Sequence, residues 1–229
     1  MATDTKKLTI RNMNSADAWD HENAFYWFSH PTRMHKMLAH YELYQSILDL
    51  PGDIFELGVY KGASLVRFAS FRDLLENQHS RKIVGFDAFG EFPTEQVQLE
   101  ADKHSIERFE QAGGDGLSED EINAIMAHKG YHNVDLVKGN VFDTLDTYLT
   151  KHPASRIALL HLDMDVKEPT AYALDKLYDK VVPNGLIIFD DYHSVAGATE
   201  AADEFLAKHR LEIHKTSHYH VPAFIRKPV

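Results

Sequence analysis

The sequence contains no cysteine. Disulfides, thiolate zinc sites and cysteine nucleophiles are therefore excluded, and a cytoplasmic setting is the expectation. No apolar run approaches the roughly 20 residues of a membrane-spanning helix, so no membrane partner is expected. The opening residues, MATDTKKLTI, lack the apolar core of a secretion signal. Positive charge is also short. There are 24 Lys and Arg against 35 Asp and Glu, a formal net charge of −11. That balance argues against nucleic acid as a partner and suits a neutral or cationic ligand, or a metal. The 15 histidines form no HExxH pair. The HYH at His218–His220 reads as surface or hairpin packing rather than a metal site. No G-x-G-x-x-G, internal repeat, low-complexity tract or linker is found.

What is present suits one α/β domain. The 229 residues are 44% hydrophobic and 26% charged, enough for a full core. The stretch Ile157–Tyr192 organises the rest. Its apolar runs, Ile157–Leu162 and Leu186–Phe189, each end in carboxylates: Asp163 and Asp165, then Asp190 and Asp191. A helix-length segment starting near Pro169 lies between them. Strand–helix–strand in a parallel sheet brings both carboxyl ends to one rim, where four carboxylates repel unless a cation or a proton joins them. Oxygen donors suit Mg²⁺, Ca²⁺ or Mn²⁺ rather than zinc. If the first pair is extended, Asp163 and Asp165 share a face and Met164 points away.

Elsewhere, residues 1–20 are polar, aperiodic and expected to be flexible. Residues 19–31 hold Trp19, Phe25, Tyr26, Trp27 and Phe28, aromatic surface that calls for a partner. Residues 32–50 carry a helical apolar face stopped by Pro51-Gly52. Strands are expected at Asp53–Leu57, Ile83–Phe86 and Val134–Val137. Helices are expected after the first strand through Glu76, at 95–112, 118–129, 143–151 and 197–209. Leu211–Lys215 and Ala223–Arg226 can pair as final strands. Strands alternating with helices call for a parallel sheet with helices on both faces, and ligands at its carboxyl edge.

Three motifs precede the acids on that edge. In Glu56-Leu-Gly58-Val-Tyr60-Lys-Gly62-Ala-Ser64, glycines after a strand allow a tight turn and close approach of a ligand, although a ligand-free turn explains the pattern equally. Asp87 ends the next strand, where an acid can accept both hydroxyls of a ribose or simply cap a turn. Asn140 and Val141 follow the third strand, where a backbone group or the Asn amide can read an adenine edge; an Asx-turn is the alternative.

Four segments, in order and at matching spacing, carry a family resemblance. They are PGDIFELGVYKGAS (Pro51–Ser64), FDAFGEFP (Phe86–Pro93), HLDMDVKEPTAYAL (His161–Leu174) and PNGLIIFDDY (Pro183–Tyr192). From Pro51 to about Ala202 the chain resembles the macrocin and mycinamicin type of sugar O-methyltransferase, a branch of the class I S-adenosylmethionine-dependent enzymes. The resemblance implies a Rossmann-like sheet of seven strands, the last antiparallel, with helices on both faces. It implies that Glu56, Gly58, Tyr60, Gly62, Ser64, Asp87, Asn140, Val141 and Asp163 meet S-adenosylmethionine. Asp163, Asp190 and Asp191 become ligands of Mg²⁺, and Asp165 the catalytic base. The chain departs from the family where Tyr60 replaces a Trp and Lys167-Glu168-Pro169 replaces Tyr-Glu-Ser.

The expectation is therefore Mg²⁺-dependent methyl transfer to a hydroxyl of a sugar or glycosylated metabolite. Residues 51–229 would form the methyltransferase domain. Residues 1–50 would form a lid or an oligomerisation segment, most simply in a homodimer. Two other readings stand: methyl transfer to an amine or phenol, and a non-catalytic nucleoside-binding partner subunit.

Overall fold

A computed structural model describes residues 7–229. The chain opens with a two-stranded hairpin, β1 (Thr9–Ile10) and β2 (Met13–Asn14), then helices α1 (Ala18–Phe28) and α2 (Thr32–Gln45). Next come β3 (Asp53–Leu57), α3 (Ala63–Leu75), β4 (Ile83–Asp87), α4 (Glu100–Gly113), α5 (Glu119–Lys129), β5 (Val134–Lys138) and α6 (Val141–Lys151). The final elements are β6 (Ile157–Leu162), α7 (Lys167–Leu177), β7 (Val181–Phe189), α8 (Ala196–His209), β8 (His214–Lys215) and β9 (Ala223–Arg226).

One seven-stranded sheet has the order β5-β4-β3-β6-β7-β9-β8. β3 to β7 run parallel, and β9 pairs antiparallel with both β7 and β8. The chain steps outward from β3 to β4 and β5, then returns to the other side of β3 as β6. The strand order thus reverses between β3 and β6, where a crevice opens at the carboxyl ends. The expected seven-stranded sheet with its last strand antiparallel is the observed one.

Strand alternation divides the core. Phe55, Leu57, Leu160, Leu162, Ile187 and Phe189 face α6, α7 and α8 through Leu145, Leu174 and Phe205. Ile54, Leu159, Leu186 and Ile188 face α2, α3 and α5 through Tyr44, Phe68 and Ile122. Central parallel strands covered on both faces require the near-continuous apolar runs seen in the sequence. The exceptions are Glu56 and His161, fully buried and cross-strand neighbours on β3 and β6.

Some boundaries differ from expectation. The stretch 1–20, expected to be flexible, lies partly outside the described residues; from Thr9 it forms the hairpin and the start of α1. The helix expected over 32–50 ends at Gln45, and backbone bonds from Ile47 to Tyr44 and Leu50 to Ile47 tighten the chain before Pro51. The last pair of strands is shorter, because Leu211 N bonds back to Leu206 O and delays β8 to His214. Among the described residues no helix is long and apolar enough to cross a membrane.

Candidate active site

The carboxyl ends of β3, β4, β6 and β7 surround a cavity of about 690 Å³. Gly58 follows β3 at φ 93°, and a Cβ there would lie 1.8 Å from the Asp163 carbonyl oxygen. Only glycine lets the β3 turn pass so close to the acid-bearing loop. Gly62, at φ 73°, turns the chain into α3, and Ser64 sits buried in its first turn. Tyr60 is also left-handed, at φ 51°. Its ring packs 4.7 Å from Phe109 and its hydroxyl donates to Gly114 O at 2.9 Å. Tyr60 therefore ties the glycine turn to the chain after α4 while lining the cavity.

Asp87, at the end of β4, accepts from Val59 N at 2.7 Å and Tyr60 N at 2.9 Å through Oδ2. Its Oδ1 accepts from Phe89 N. The carboxylate thus organises the glycine turn and still borders the cavity. Asn140 caps α6, its side chain accepting from Phe142 N at 3.2 Å and donating to Gln96 Oε1 at 3.1 Å. The Asx-turn alternative is the observed conformation. Asn140 and Val141 both line the cavity.

Glu56 does not. Expected at the cofactor, it is fully buried, absent from the cavity wall, and its Oε1 lies 3.2 Å from His161 Nδ1.

All four acids of the two doublets border the cavity. Asp165 is not extended, as the shared-face reading required; it adopts φ 64°. Asp tolerates this region better than most residues, and strain of about 1 kcal/mol or more is often found at functional sites. The turn still swings its carboxylate to the same rim. Asp165 N donates to Asp191 Oδ2 at 3.0 Å, linking the two loops. Carboxylate oxygens of Asp163, Asp165 and Asp191 lie within 4.8 Å of one another. Burial, then the charges of Asp190 and Asp191, push Asp163 well above the usual carboxylate range. Burial, then Asp165 and Asp190, do the same to Asp191. Burial, then Asp163 and Asp190, raise Asp165 to about 7.

Asp190 has different company. Lys36 of α2 forms an ion pair with its Oδ2, and His161 Nε2 lies 3.3 Å from its Oδ1. Burial opposes its ionisation, but Lys36, then His161 and His40, hold Asp190 well below the ordinary value. Burial alone would lower His161, yet its hydrogen bonds to Asp190 and Glu56 raise it to about 10, so the imidazolium bridges two carboxylates. His40 is neutral, lowered to about 3 chiefly by burial. Arg67 Nη1 donates to its Nδ1 at 3.0 Å, leaving Nε2 protonated, and Nε2 stands 3.6 Å from Asp190 Oδ1. That last contact is neither an ion pair nor a full hydrogen bond.

The oxygen-rich trio of Asp163, Asp165 and Asp191 fits a hard divalent cation by its donor chemistry and its unrelieved repulsion. Of the three expected metal ligands, Asp163 and Asp191 belong to that trio and Asp190 stands apart with Lys36. The HYH histidines make no such group: His218 lies 3.4 Å from Glu42, and His220 meets His193 edge-on. Sequence reasoning missed Lys36, His40, His161 and Arg67. The pair Glu56 and His161 was legible as two polar residues inside otherwise apolar strands; Lys36, 154 positions from Asp190, gave no local signal.

The model of the macrocin-O-methyltransferase (TylF) family matches residues 7–227. A Streptomyces olivaceus protein, 8-demethyl-8-(2,3-dimethoxy-alpha-L-rhamnosyl)-tetracenomycin-C 4'-O-methyltransferase, is 29% identical over 152 residues, 62% of this chain and 54% of that one. The demethyldecarbamoylnovobiocin O-methyltransferase of Streptomyces niveus is 28% identical over 169 residues, 70% of this chain and 60% of that one. The matches thus span 54% and 60% of these curated relatives. The crystal structure of CalS11, a calicheamicin methyltransferase, superposes with a TM-score of 0.73 at 25% identity, covering 91% of this chain and 85% of that one. The O-methyltransferase NovP superposes with a TM-score of 0.74 at 21% identity, covering 85% and 80%, a likeness of fold.

Proposed function

The chain belongs to the macrocin-O-methyltransferase family, and from that premise we propose that it transfers a methyl group from S-adenosylmethionine to a hydroxyl of a sugar or glycosylated metabolite, with Mg²⁺ at the acid rim. The observation that carries this reading is the meeting of the Gly58–Ser64 turn and the carboxylates of Asp163, Asp165 and Asp191 in one cavity. Gly58, Tyr60, Gly62 and Ser64 would border the methionine part, Asp87 the ribose, and Asn140 and Val141 the adenine. When bound, S-adenosylmethionine supplies an electrophilic methyl, and a divalent cation lowers the pKa of a coordinated hydroxyl. Asp163 and Asp191 would hold the cation, with Asp190 joining them once Lys36 yields. Asp165, raised to about 7, is suited to take the hydroxyl proton near neutral pH. The cavity walls would hold the acceptor oxygen in line with the methyl carbon.

The compact trio favours a second assignment, in which Asp165 is the third ligand and Asp190 remains with Lys36. Asp165→Asn separates the two. As the base, its loss removes most turnover while Mn²⁺ and S-adenosylmethionine still bind; as a ligand, its loss weakens Mn²⁺ binding itself.

The test of the function is methyl transfer from S-adenosylmethionine to a panel of nucleotide sugars and glycosides, read by mass spectrometry with Mg²⁺ and with EDTA. Transfer that EDTA abolishes is expected. Transfer indifferent to EDTA removes the cation from the account, and failure to bind S-adenosylmethionine in calorimetry removes methyl transfer altogether.

A further inference from the structure

Two arginines border the cavity without an acid to meet them. Arg33 is the second residue of α2, and Arg67 lies in the second turn of α3. Both share the cavity with Lys36 and the acid rim. Lys36 is engaged by Asp190. Arg67 is half-buried and donates to the neutral His40. Among the described residues neither arginine has a carboxylate oxygen within 4.0 Å. Burial lowers the Arg67 pKa; Asp190 and Glu56 act against it at longer range, and the like charge of Arg33 adds to the depression. Two guanidiniums bordering one cavity repel unless an anion joins them.

The first turn of α2 contains no acidic residue, and its N–H groups are taken by the His30 ring and by the carbonyls of His30 and Pro31. The positive end of a helix dipole favours anions, and Arg33 stands there against that preference. The cavity's remaining acids, Asp87, Glu91, Glu110 and Asp115, come from the end of β4, α4 and the loops beside it and pair with neither arginine.

We propose that Arg33 and Arg67 form an anion subsite for the methyl acceptor, which is therefore a sugar carrying an oxyanion rather than a neutral glycoside. The subsite rests on the methyl-transfer reading and narrows it. A phosphate or diphosphate ester and a uronic acid carboxylate share the required chemistry, since a guanidinium binds either through paired N–H donors. The two sources place the reaction differently. A sugar diphosphate would be methylated before a glycosyl transfer consumes it. A uronic acid can be methylated after such a transfer.

The experiment compares one sugar in three forms: a nucleoside diphosphate ester, a methyl uronide and a neutral methyl glycoside. Methyl transfer is measured for the wild type, Arg33→Gln, Arg67→Gln and Arg67→Lys. One charged form should exceed the neutral form in kcat/KM, and which one identifies the source. Arg33→Gln should raise KM for that form by about tenfold or more, as for a lost charge-assisted contact. Arg33 is exposed, so this variant keeps the fold even if Arg67→Gln, which frees His40, does not. A second readout avoids turnover: thermal stabilisation by the nucleoside diphosphate or the uronide alone should be weakened in Arg33→Gln. Equal kcat/KM for charged and neutral forms, or an unchanged KM in Arg33→Gln, overturns the subsite. Calorimetry with S-adenosylmethionine tells the two failures apart. Binding of S-adenosylmethionine with indifference to acceptor charge defeats the subsite alone. No binding defeats the reading on which it rests, and the subsite with it.

Discussion

Asp165 and His161 show how burial assigns different work to neighbouring ionisable groups. Asp165, crowded by Asp163 and Asp190, is raised to about 7. Its folded pKa stands above that of an unfolded Asp, about 3.9, so without a cation it favours the folded state below that value and loses the effect as pH rises through 7. A cation reverses the requirement, because the carboxylates must ionise to bind it. The melting-temperature increase on adding Mg²⁺ should therefore grow from pH 6 to pH 8; an increase that is flat or shrinks across that interval contradicts a carboxylate site. His161 is the opposite case, an imidazolium held between Glu56 and Asp190 inside the sheet. Replacing it with Leu leaves the buried Glu56 carboxylate without its partner and Asp190 with Lys36 alone, and a loss of about 3–5 kcal/mol is expected in urea unfolding. A cost within about 0.5 kcal/mol, as for an ordinary surface site, would show that the bridge contributes little.

At the scale of elements, Asp102 joins three helices. It is a fully buried carboxylate in α4, and it accepts from Lys167 N at the start of α7 at 2.9 Å and from Gly197 N at the start of α8 at 3.0 Å. A Cβ at residue 197 would lie 1.9 Å from the Asp102 carboxylate, so the glycine and the acid require each other. One side chain thus caps two helix N-termini, each worth about 1 kcal/mol. Asp102→Ala should cost about 2–3 kcal/mol by denaturant titration, counting the stranded buried N–H groups; Asp102→Asn, which keeps an acceptor, should cost less. Equal costs for the two would deny the double cap. α1 poses the remaining question at this scale. It buries no residue and exposes Trp19, Tyr26, Trp27 and Phe28, while Phe25 reaches the cavity wall. The proposal that this segment closes over the site or joins two copies predicts that Trp27→Ser with Phe28→Ser lowers the mass seen by light scattering or raises the acceptor KM. Neither change would leave α1 without the assigned role.

For the whole molecule, what was legible followed from local pattern. Apolar runs ending in acids located β6 and β7, and the glycine turn located the start of α3, because strand burial and positive φ leave direct marks in a sequence. The parallel order and the shared rim followed from strand–helix alternation. Lys36 and Arg33 on α2 and Arg67 on α3 were illegible because these side chains reach the rim only through folding; nothing in a helical apolar face announces that its polar side borders a cavity. The burial of Glu56 was illegible for a related reason. Its motif fixes the turn, but Glu56 still lies within β3, where it pairs with His161 of β6 below the rim. Asp190 was grouped with Asp191 by adjacency, although the two turn to different neighbours, Lys36 and Asp165.

The central claim is that the methyl donor and the cation meet in one cavity, between the Gly58 turn and the acid rim. The most direct measurement is the NMR signal of S-adenosylmethionine labelled with ¹³C at its methyl, bound to the protein and titrated with Mn²⁺. The account predicts paramagnetic broadening of the bound methyl that is lost in the Asp163→Asn, Asp191→Asn double variant. A bound methyl signal that stays sharp at saturating Mn²⁺ would contradict it.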